Sequence, residues 1–403
     1  MREIAETLHT PVKGEYDVVV AGAGVAGACA AVAAKRAGAK NVLLLEKAIL
    51  FGGMATLGLV ALYEPLCNGS GKKISYGMAS ELMQLCRRYG PDDLPQEWAD
   101  DPDFVPGCNK KYRTFFSPSA FAFALDEFVR NAGVDILFDT RAVRPVMDGK
   151  RLTAVTVENV SGRGAYLLKS FVDATGDAEL LYKAGVPCLE GKNHMVYIAY
   201  RMDRESLKKA AETGNMLHLR KWISLGSSPH ENGRPKGTAI SYGTTAEEIT
   251  QYVLQGRRMM LESIREEDRF QRDMSVLPAM PQLREIRRIQ GAYTLCEADA
   301  KKEQADSVGA VADFWHTGDW YEIPYRALYA PAFPNVWTAG RSISAKDWAW
   351  SAVRVIPGCA CSGQAAGTAA AICAKEAMTA AELPFGMLLA ALERDGAKTH
   401  GGV

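Results

Sequence analysis

Runs of apolar residues alternate with stretches of small residues along this chain, and at its start they predict a β–α–β unit. Tyr16–Ala21 carries Val18, Val19 and Val20 and ends at Gly22, the pattern of a short buried strand. Gly24–Gly38 reads as an Ala-rich helix, and Asn41–Leu45 as a second apolar strand ending at Glu46. Such a unit predicts a parallel sheet with right-handed crossovers. Further along, helices are expected at Tyr76–Tyr89 and Ser119–Asn131, with the rest of 52–110 irregular, and a strand at Asp135–Phe138. Leu152–Asn159 and Gly164–Ala174 alternate like a hairpin turning at Ser161–Gly164. Residues 201–306 carry dense mixed charge, and Glu262–Arg272 reads as a solvated helical surface. A last apolar strand, Asn335–Ala339, precedes a stretch of small residues.

Composition sharpens this picture. The chain has 403 residues, 47 basic and 47 acidic side chains and a formal charge of zero. That balance argues against a nucleic-acid binder held by bulk electrostatics. Val18–Ala34 and Val355–Ala374 lack charge, and the second, at 20 residues, is nominally long enough to cross a bilayer. Both consist largely of Gly, Ala and other small residues, and the second holds Pro357 and Gln364, so neither is expected to span a membrane. No secretory signal is visible at the N-terminus. The nine Cys are irregularly spaced, with no CxxC pair for zinc, so a reducing cytoplasm is expected and no metal site.

Gly22-Ala23-Gly24-Val25-Ala26-Gly27 has the GxGxxG spacing between the first strand and the helix, and Glu46 stands 24 positions after the first Gly. In that context the pattern is a dinucleotide fingerprint. Gly22 allows a tight turn, Gly24 lets backbone approach a pyrophosphate, and Gly27 lets the helix lie close to the strands. Val25 and Ala26 open the helix, whose N–H groups and dipole favour phosphate. Glu46 can accept hydrogen bonds from ribose hydroxyls and disfavours a 2′-phosphate; Lys47 follows it.

Later segments, VDATGDAEL (172–180), YEIPYRALY (321–329) and AGRSISA…RVIPGCACSGQAAGTAAA (339–371), join FGGMAT (51–56) and LREIRRIQGAYTL (283–295) in one order. In that order the chain resembles the FAD-dependent oxidoreductases of the two-dinucleotide-binding-fold type, related to succinate dehydrogenase and fumarate reductase flavoproteins. The resemblance implies an α/β fold: a discontinuous Rossmann-like FAD-binding domain (12–187 and 320–380), an inserted α+β substrate domain (188–319) and a C-terminal helix and tail (381–403). It implies that Gly52, Gly53, Met54 and Ala55 pack around the pyrophosphate, ribityl chain and flavin. Ala174, Thr175, Gly176 and Asp177 would line the adenosine side, and Gly340 and Arg341 the ribityl–pyrophosphate region. A helix starting near Gly363, with Gln364 and Ala365, would aim its N-terminus at the flavin. Residues 52–60 hold no His, so FAD is expected to be non-covalent.

The expected reaction is hydride transfer between flavin N5 and a small molecule, a sugar or polyol or an unsaturated acid. A biosynthetic flavoprotein of thiazole or tRNA-modifying type, or an electron-relay protein, is the alternative. The partners expected are a small-molecule substrate and an electron acceptor or donor, with no nucleic acid and no membrane. His316, beside Asp319, is the first acid/base candidate or a structural loop residue. Tyr325 is a proton donor or core. Arg284, Arg287 and Arg288, at helical spacing, suit a carboxylate or an ion-pair surface. Arg354 suits an anionic substrate, and Trp348 and Trp350 an aromatic platform or core. Cys359 and Cys361 are reactive thiols or packing, with packing favoured.

Overall fold

The computed structural model describes residues 3–96, 111, 113–226 and 241–401. Strand β1 (Val12–Ala21), helix α1 (Val25–Arg36) and β2 (Val42–Leu45) form the expected unit. β1 runs parallel to β2 and to a later strand, β8 (Gly162–Asp173), pairing Val19 with Leu43 and with Phe171. The short strands β3 (Leu62–Tyr63) and β4 (Thr114–Phe115) pair with each other across α2 (Met78–Leu85). Helix α3 (Pro118–Asn131) leads into β5 (Asp135–Leu137), parallel to β2. Then β6 (Arg141–Asp148), β7 (Arg151–Asn159) and β8 (Gly162–Asp173) form an antiparallel meander. The expected irregular stretch 52–110 lies within the described residues only up to 96.

Alternation along the strands builds two cores. Val18, Val20, Leu44 and Val172 face α1 and the C-terminal helices. Val19, Ala21, Leu43, Leu45 and Phe171 face the opposite layer with Leu152, Val155 and Leu180. Side chains one residue apart on a strand point to opposite faces, so this sheet is covered on both sides, as a parallel sheet requires.

After α4 (Glu179–Lys183) the chain leaves this sheet. β9 (Cys188–Glu190) pairs later with β13 (Arg287–Ile289), while β10 (Val196–Asp203) lies between β11 (Lys221–Gly226) and β12 (Arg272–Val276). Helices α5 (Arg204–Thr213) and α6 (Ala246–Ile264) pack on this small sheet. Asp203 caps α5: its carboxylate accepts from Ser206 N at 2.9 Å, and the Ser206 hydroxyl accepts from Asp203 N at 2.9 Å. The chain returns through the hairpin β14 (Ser307–Ala312) and β15 (Trp320–Pro324) to β16 (Val336–Thr338), which completes the first sheet parallel to β8. Helices α7 (Asp347–Val353), α8 (Ile356–Glu376) and α9 (Phe385–Arg394) follow. The protein is thus α/β with a parallel sheet of Rossmann type.

Several expectations need correction. Helical spacing in LREIRRI is coincidental: Arg287–Ile289 is strand β13, because Glu190, Leu189 and Cys188 offer it an antiparallel partner. Helix α6 ends at Ile264, so Glu262–Arg272 is helical only at its start. The β14–β15 hairpin spans position 319/320. No helix among the described residues is long and apolar enough to cross a membrane.

Candidate flavin and substrate site

The C-terminal ends of β1, β2, β8 and β16 meet at one edge of the sheet, the usual ligand crevice of this architecture. Gly22 has φ +93° and a Cβ there would lie 2.5 Å from Ala174 O, so only glycine fits. A Cβ on Gly27 would lie 1.7 Å from Gly22 O, which makes Gly27 the contact of α1 with its own turn. A Cβ on Gly24 would meet nothing within 4 Å. Protein packing therefore does not require glycine at Gly24, whereas a cofactor against the backbone would. Gly24 is the N-cap of α1, which has no side-chain cap and no acidic residue in its first turn, and Val25 and Ala26 are buried behind it. Glu46 accepts from Ala23 N at 2.7 Å through Oε2 and from Ala48 N at 2.8 Å through Oε1. These bonds fix the carboxylate and leave lone pairs for hydroxyl groups. Lys47 is exposed.

The second Gly pair folds onto the first. Gly52 N donates to Ala23 O at 2.9 Å, and a Cβ on Gly53 would touch Gly24 Cα at 3.1 Å. Met54 and Ala55 complete a short 3-10 turn there, with Ala55 buried. Across the crevice, Asp173 is buried and accepts from Thr175, Leu180 and Leu181 amides, which shapes the Ala174–Asp177 turn and caps α4. The Arg341 Nε donates to Gly176 O, and Gly340 N donates to Ser362 Oγ at 2.9 Å. Residues 22–27, 46, 52–55, 174–177 and 340–341 thus converge. Uncapped amides, a glycine with open space before it and an anchored carboxylate are the donor and acceptor set FAD needs, so the residues fit that group.

Gly363, Gln364 and Ala365 leave this set. Helix α8 begins at Ile356, with Pro357 in its first turn and no side-chain cap, so Gly363 lies two turns inside it. A Cβ on Gly363 would lie 2.3 Å from Ala26 O, and one on Gly367 2.0 Å from Ala30 O. Both glycines exist for close packing of α8 against α1. Gln364 accepts from Met78 N at 3.0 Å through Oε1, and Ala365 is fully buried. The helix end near the crevice is Val355–Gly358.

Next to that end lies a cluster of cations. Arg354 closes α7, and its Nε has no hydrogen-bond partner; Glu285 is 3.6 Å away and is held by the Ser351 hydroxyl at 2.8 Å. Burial, then repulsion from Arg284, lowers Arg354 to about 10, still charged at neutral pH. Burial also lowers Arg284 and Arg341. Arg284, Arg288 and Arg354 line a cavity of about 520 Å3 with His194, Trp348 and Trp350. Arg288 is buried, with its guanidinium 5.8 Å from the Trp350 ring centroid. Glu64, which the sequence reading missed, belongs to the same cluster: burial pushes it up to about 7 against the pull of Arg113, Arg354 and Lys111. Its signal was present, since it is the only charged residue between Lys47 and Lys72.

His316 borders this region through Trp348, with ring centroids 5.2 Å apart. Its partner is Asp313, at 3.0 Å from Nδ1, rather than Asp319, which pairs with Lys301 at 2.7 Å. Burial pushes Asp313 up, but bonds from the His316 amide, the Trp348 indole and the Trp315 amide outweigh it and leave the carboxylate low. Tyr325 lies in the core rather than in the cavity wall. It is buried, donates to Ala380 O at 2.9 Å and accepts from Trp337 Nε1 at 3.0 Å. Burial pushes the Cys359 thiol up to about 11 and Cys361 to about 12, away from the thiolate form.

No curated protein matches the chain. Among solved structures, OxyS anhydrotetracycline hydroxylase from Streptomyces rimosus aligns at TM-score 0.31 and 18% identity, over 47% of this chain and 38% of that one. Thermovibrio ammonificans THI4 aligns at 0.31 and 16%, over 43% of this chain and 64% of that one. The chain therefore spans less than two thirds of either. The Mycobacterium smegmatis Sdh1 complex in the apo form aligns at 0.47 and 13%, over 92% of this chain and 69% of that one. At such values the likenesses assign no activity. The sequence profile described as FAD dependent oxidoreductase, by contrast, matches residues 17–198 and 204–392. With nearly the whole chain covered and a site that fits FAD, this protein belongs to the FAD dependent oxidoreductase family.

Proposed function

We propose that this enzyme oxidises or reduces a small carboxylate-bearing substrate with non-covalently bound FAD. The observation that carries the reading is the Arg284–Arg341–Arg354 cluster: three mutually repelling guanidinium groups close to one cavity, with Glu285, 3.6 Å from Arg354 Nε, to set against them. Burying like charges is unfavourable unless an anion completes the site. Of the substrate classes the sequence suggests, an acid answers this need better than a neutral polyol.

Bound FAD supplies the hydride donor or acceptor. Arg354 and Arg284 bind and orient the carboxylate from the return segment and the inserted segment respectively, which supports a substrate domain over 188–319. Trp348 and Trp350 offer flat apolar surface for the rest of the molecule. His316 moves a proton at Nε2, its Nδ1 being held by Asp313. The residues at 22–27, 46, 52–55, 174–177 and 340–341 hold the cofactor, and no His in 52–60 offers a covalent link. Cys29, Cys86, Cys188, Cys296, Cys359, Cys361 and Cys373 carry free thiols, in keeping with a reducing compartment such as the cytoplasm.

The test is anaerobic mixing of the yellow holoenzyme with a panel of carboxylic acids and neutral polyols, followed at the flavin band. Bleaching, or reoxidation of the chemically reduced enzyme, by acids alone is expected. A response to polyols alone overturns the acid reading.

A further inference from the structure

A second cavity, of about 490 Å3, shares none of its described wall residues with the arginine-lined one. Its size lies within the range of small-molecule pockets, about 300–1,000 Å3. One wall is β4 and the start of α3. The other is built from β10, α5 and the turn Met216–Leu219 that leads into β11. Beside them, Asn215 Nδ2 donates to Asp92 O at 2.9 Å and ties the two walls together.

The interior is aromatic. Phe115 and Trp222, one from each wall, meet edge to face with ring centroids 5.1 Å apart, and Phe116 and Tyr200 add further ring surface. The rim is cationic. Lys209 and Arg220 are exposed there, and neither forms an ion pair among the described residues. The acidic wall residues are already engaged. Asp93 Oδ1 accepts from Phe115 N at 2.7 Å and from Thr114 Oγ1 at 3.0 Å. Glu205 pairs with Lys221, whose Nζ also lies 2.9 Å from Asp203 Oδ2. Helix α3 starts in this wall at Ser117 and Pro118, with no side-chain cap and no acidic residue in its first turn, so its dipole adds to the positive field.

We infer that this cavity binds an aromatic anion, a flat ring system carrying one carboxylate, sulfonate or phosphate group, as a second ligand beside the substrate. The rings of Phe115, Trp222 and their neighbours take the flat part. Arg220 and Lys209 hold the charge. A neutral ring leaves both cations unused, and a small inorganic anion leaves the aromatic surface unused, so the site selects for the two together. A free aryl acid and the base and phosphate of a nucleotide present this same chemistry. The inference stands apart from the acid reading of the arginine-lined cavity, because the two walls are separate. An occupant also braces residues 91–118 against 200–222, the two segments that supply the walls.

The test is calorimetric titration of the FAD-loaded enzyme with naphthalene-2-sulfonate, which stays ionised at every working pH. Saturable binding is expected, unchanged by excess benzoate and unchanged in Arg354→Gln. Neutral 2-naphthol should bind at least about tenfold more weakly, and methanesulfonate should give no heat. The double variant Arg220→Gln, Lys209→Gln should weaken the sulfonate by roughly 10- to 100-fold, and Trp222→Leu should weaken sulfonate and naphthol alike. The two cations are exposed and unpaired, so their replacement leaves the fold intact and keeps the test decisive should Trp222→Leu fail to fold; FAD content and circular dichroism report on both. AMP that displaces the sulfonate supports the site and marks a nucleotide ligand, whereas a sulfonate that AMP cannot displace supports it and marks a free aryl acid. Absence of sulfonate binding, an affinity that falls with benzoate or in Arg354→Gln, or an affinity unchanged in the double variant overturns the inference. None of these outcomes bears on the arginine-lined cavity's own preference for acids over polyols.

Discussion

His316 Nδ1 lies 3.0 Å from Asp313 Oδ2, the same oxygen that accepts from Trp348 Nε1 at 2.5 Å. Asp313 is fully buried while half of the His316 side chain reaches solvent. One buried carboxylate therefore fixes both a proton-carrying ring and a wall of the cavity. His316→Ala should slow substrate-dependent flavin reduction by on the order of 100-fold, with FAD binding intact. Asp313→Asn, which frees the ring without deleting it, should slow it less. Single-turnover stopped-flow under anaerobic conditions separates the two; an unchanged rate in His316→Ala removes the acid/base role.

Arg354→Gln removes the charge and keeps a hydrogen-bonding amide on a shorter side chain. Losing a charge-assisted bond to a carboxylate costs about 1.5–3 kcal/mol, roughly 10- to 100-fold in affinity. Benzoate titration of the holoenzyme checks this. An equal loss for a neutral polyol would argue for a general packing defect.

Gly24 and Gly363 should respond in opposite ways to the same methyl group. Gly24→Ala meets open space and has an ordinary φ of −62°, so the unfolding midpoint of the cofactor-free protein should hold while FAD affinity falls. Gly363→Ala drives a methyl into Ala26 O, and overpacking of this kind costs about 1–3 kcal/mol. Urea unfolding of the FAD-free proteins together with FAD titration reads both.

Asp203 caps α5 and faces Lys221 and Arg201, each at 2.9 Å. Burial pushes its carboxyl up, but bonds from Lys221, Ser206 N and Arg201 outweigh this and leave it at about 2. Its folded value lies below its unfolded one, so its contribution is full at neutral pH and fades as pH falls through the usual carboxylate range toward about 2. Asp203→Ala should destabilise by about 1 kcal/mol at neutral pH, a gap that narrows on acidification in urea melts.

The parts of this molecule that were legible in the sequence are those fixed by near neighbours. The Gly22–Gly27 turn, Glu46 and the flanking β–α–β elements depend on spacings that a single strand–turn–helix dictates. What escaped depends on distant partners. LREIRRI has helical spacing, yet β9, about 100 residues earlier, pairs with Arg287–Ile289 and makes a strand of it. Asp313 and Asp319 stand equally far from His316 along the chain, and only the turn at Asp313 wraps its carboxylate around the His316 amide and ring. Gly363 carried the composition of a cofactor contact because helix crossings and cofactor cradles select glycine for the same lack of bulk. Tyr325 sat in a motif segment, and only tertiary structure shows its hydroxyl already spent on Ala380 and Trp337.

The glycine notch between α1 and α8 has a consequence for the cofactor as a whole. Gly363 sits on Ala26 and Gly367 on Ala30, four residues apart on each helix, so the two helices cross at a fixed offset. Their uncapped starts, at Gly24 and Val355, are the two positive poles on either side of the crevice. The crossing works as a fixed gauge, setting the span between the pole that would meet phosphate and the pole that would meet the flavin ring before either is bound. A bulkier residue in the notch would therefore change that span, and with it cofactor affinity and flavin potential.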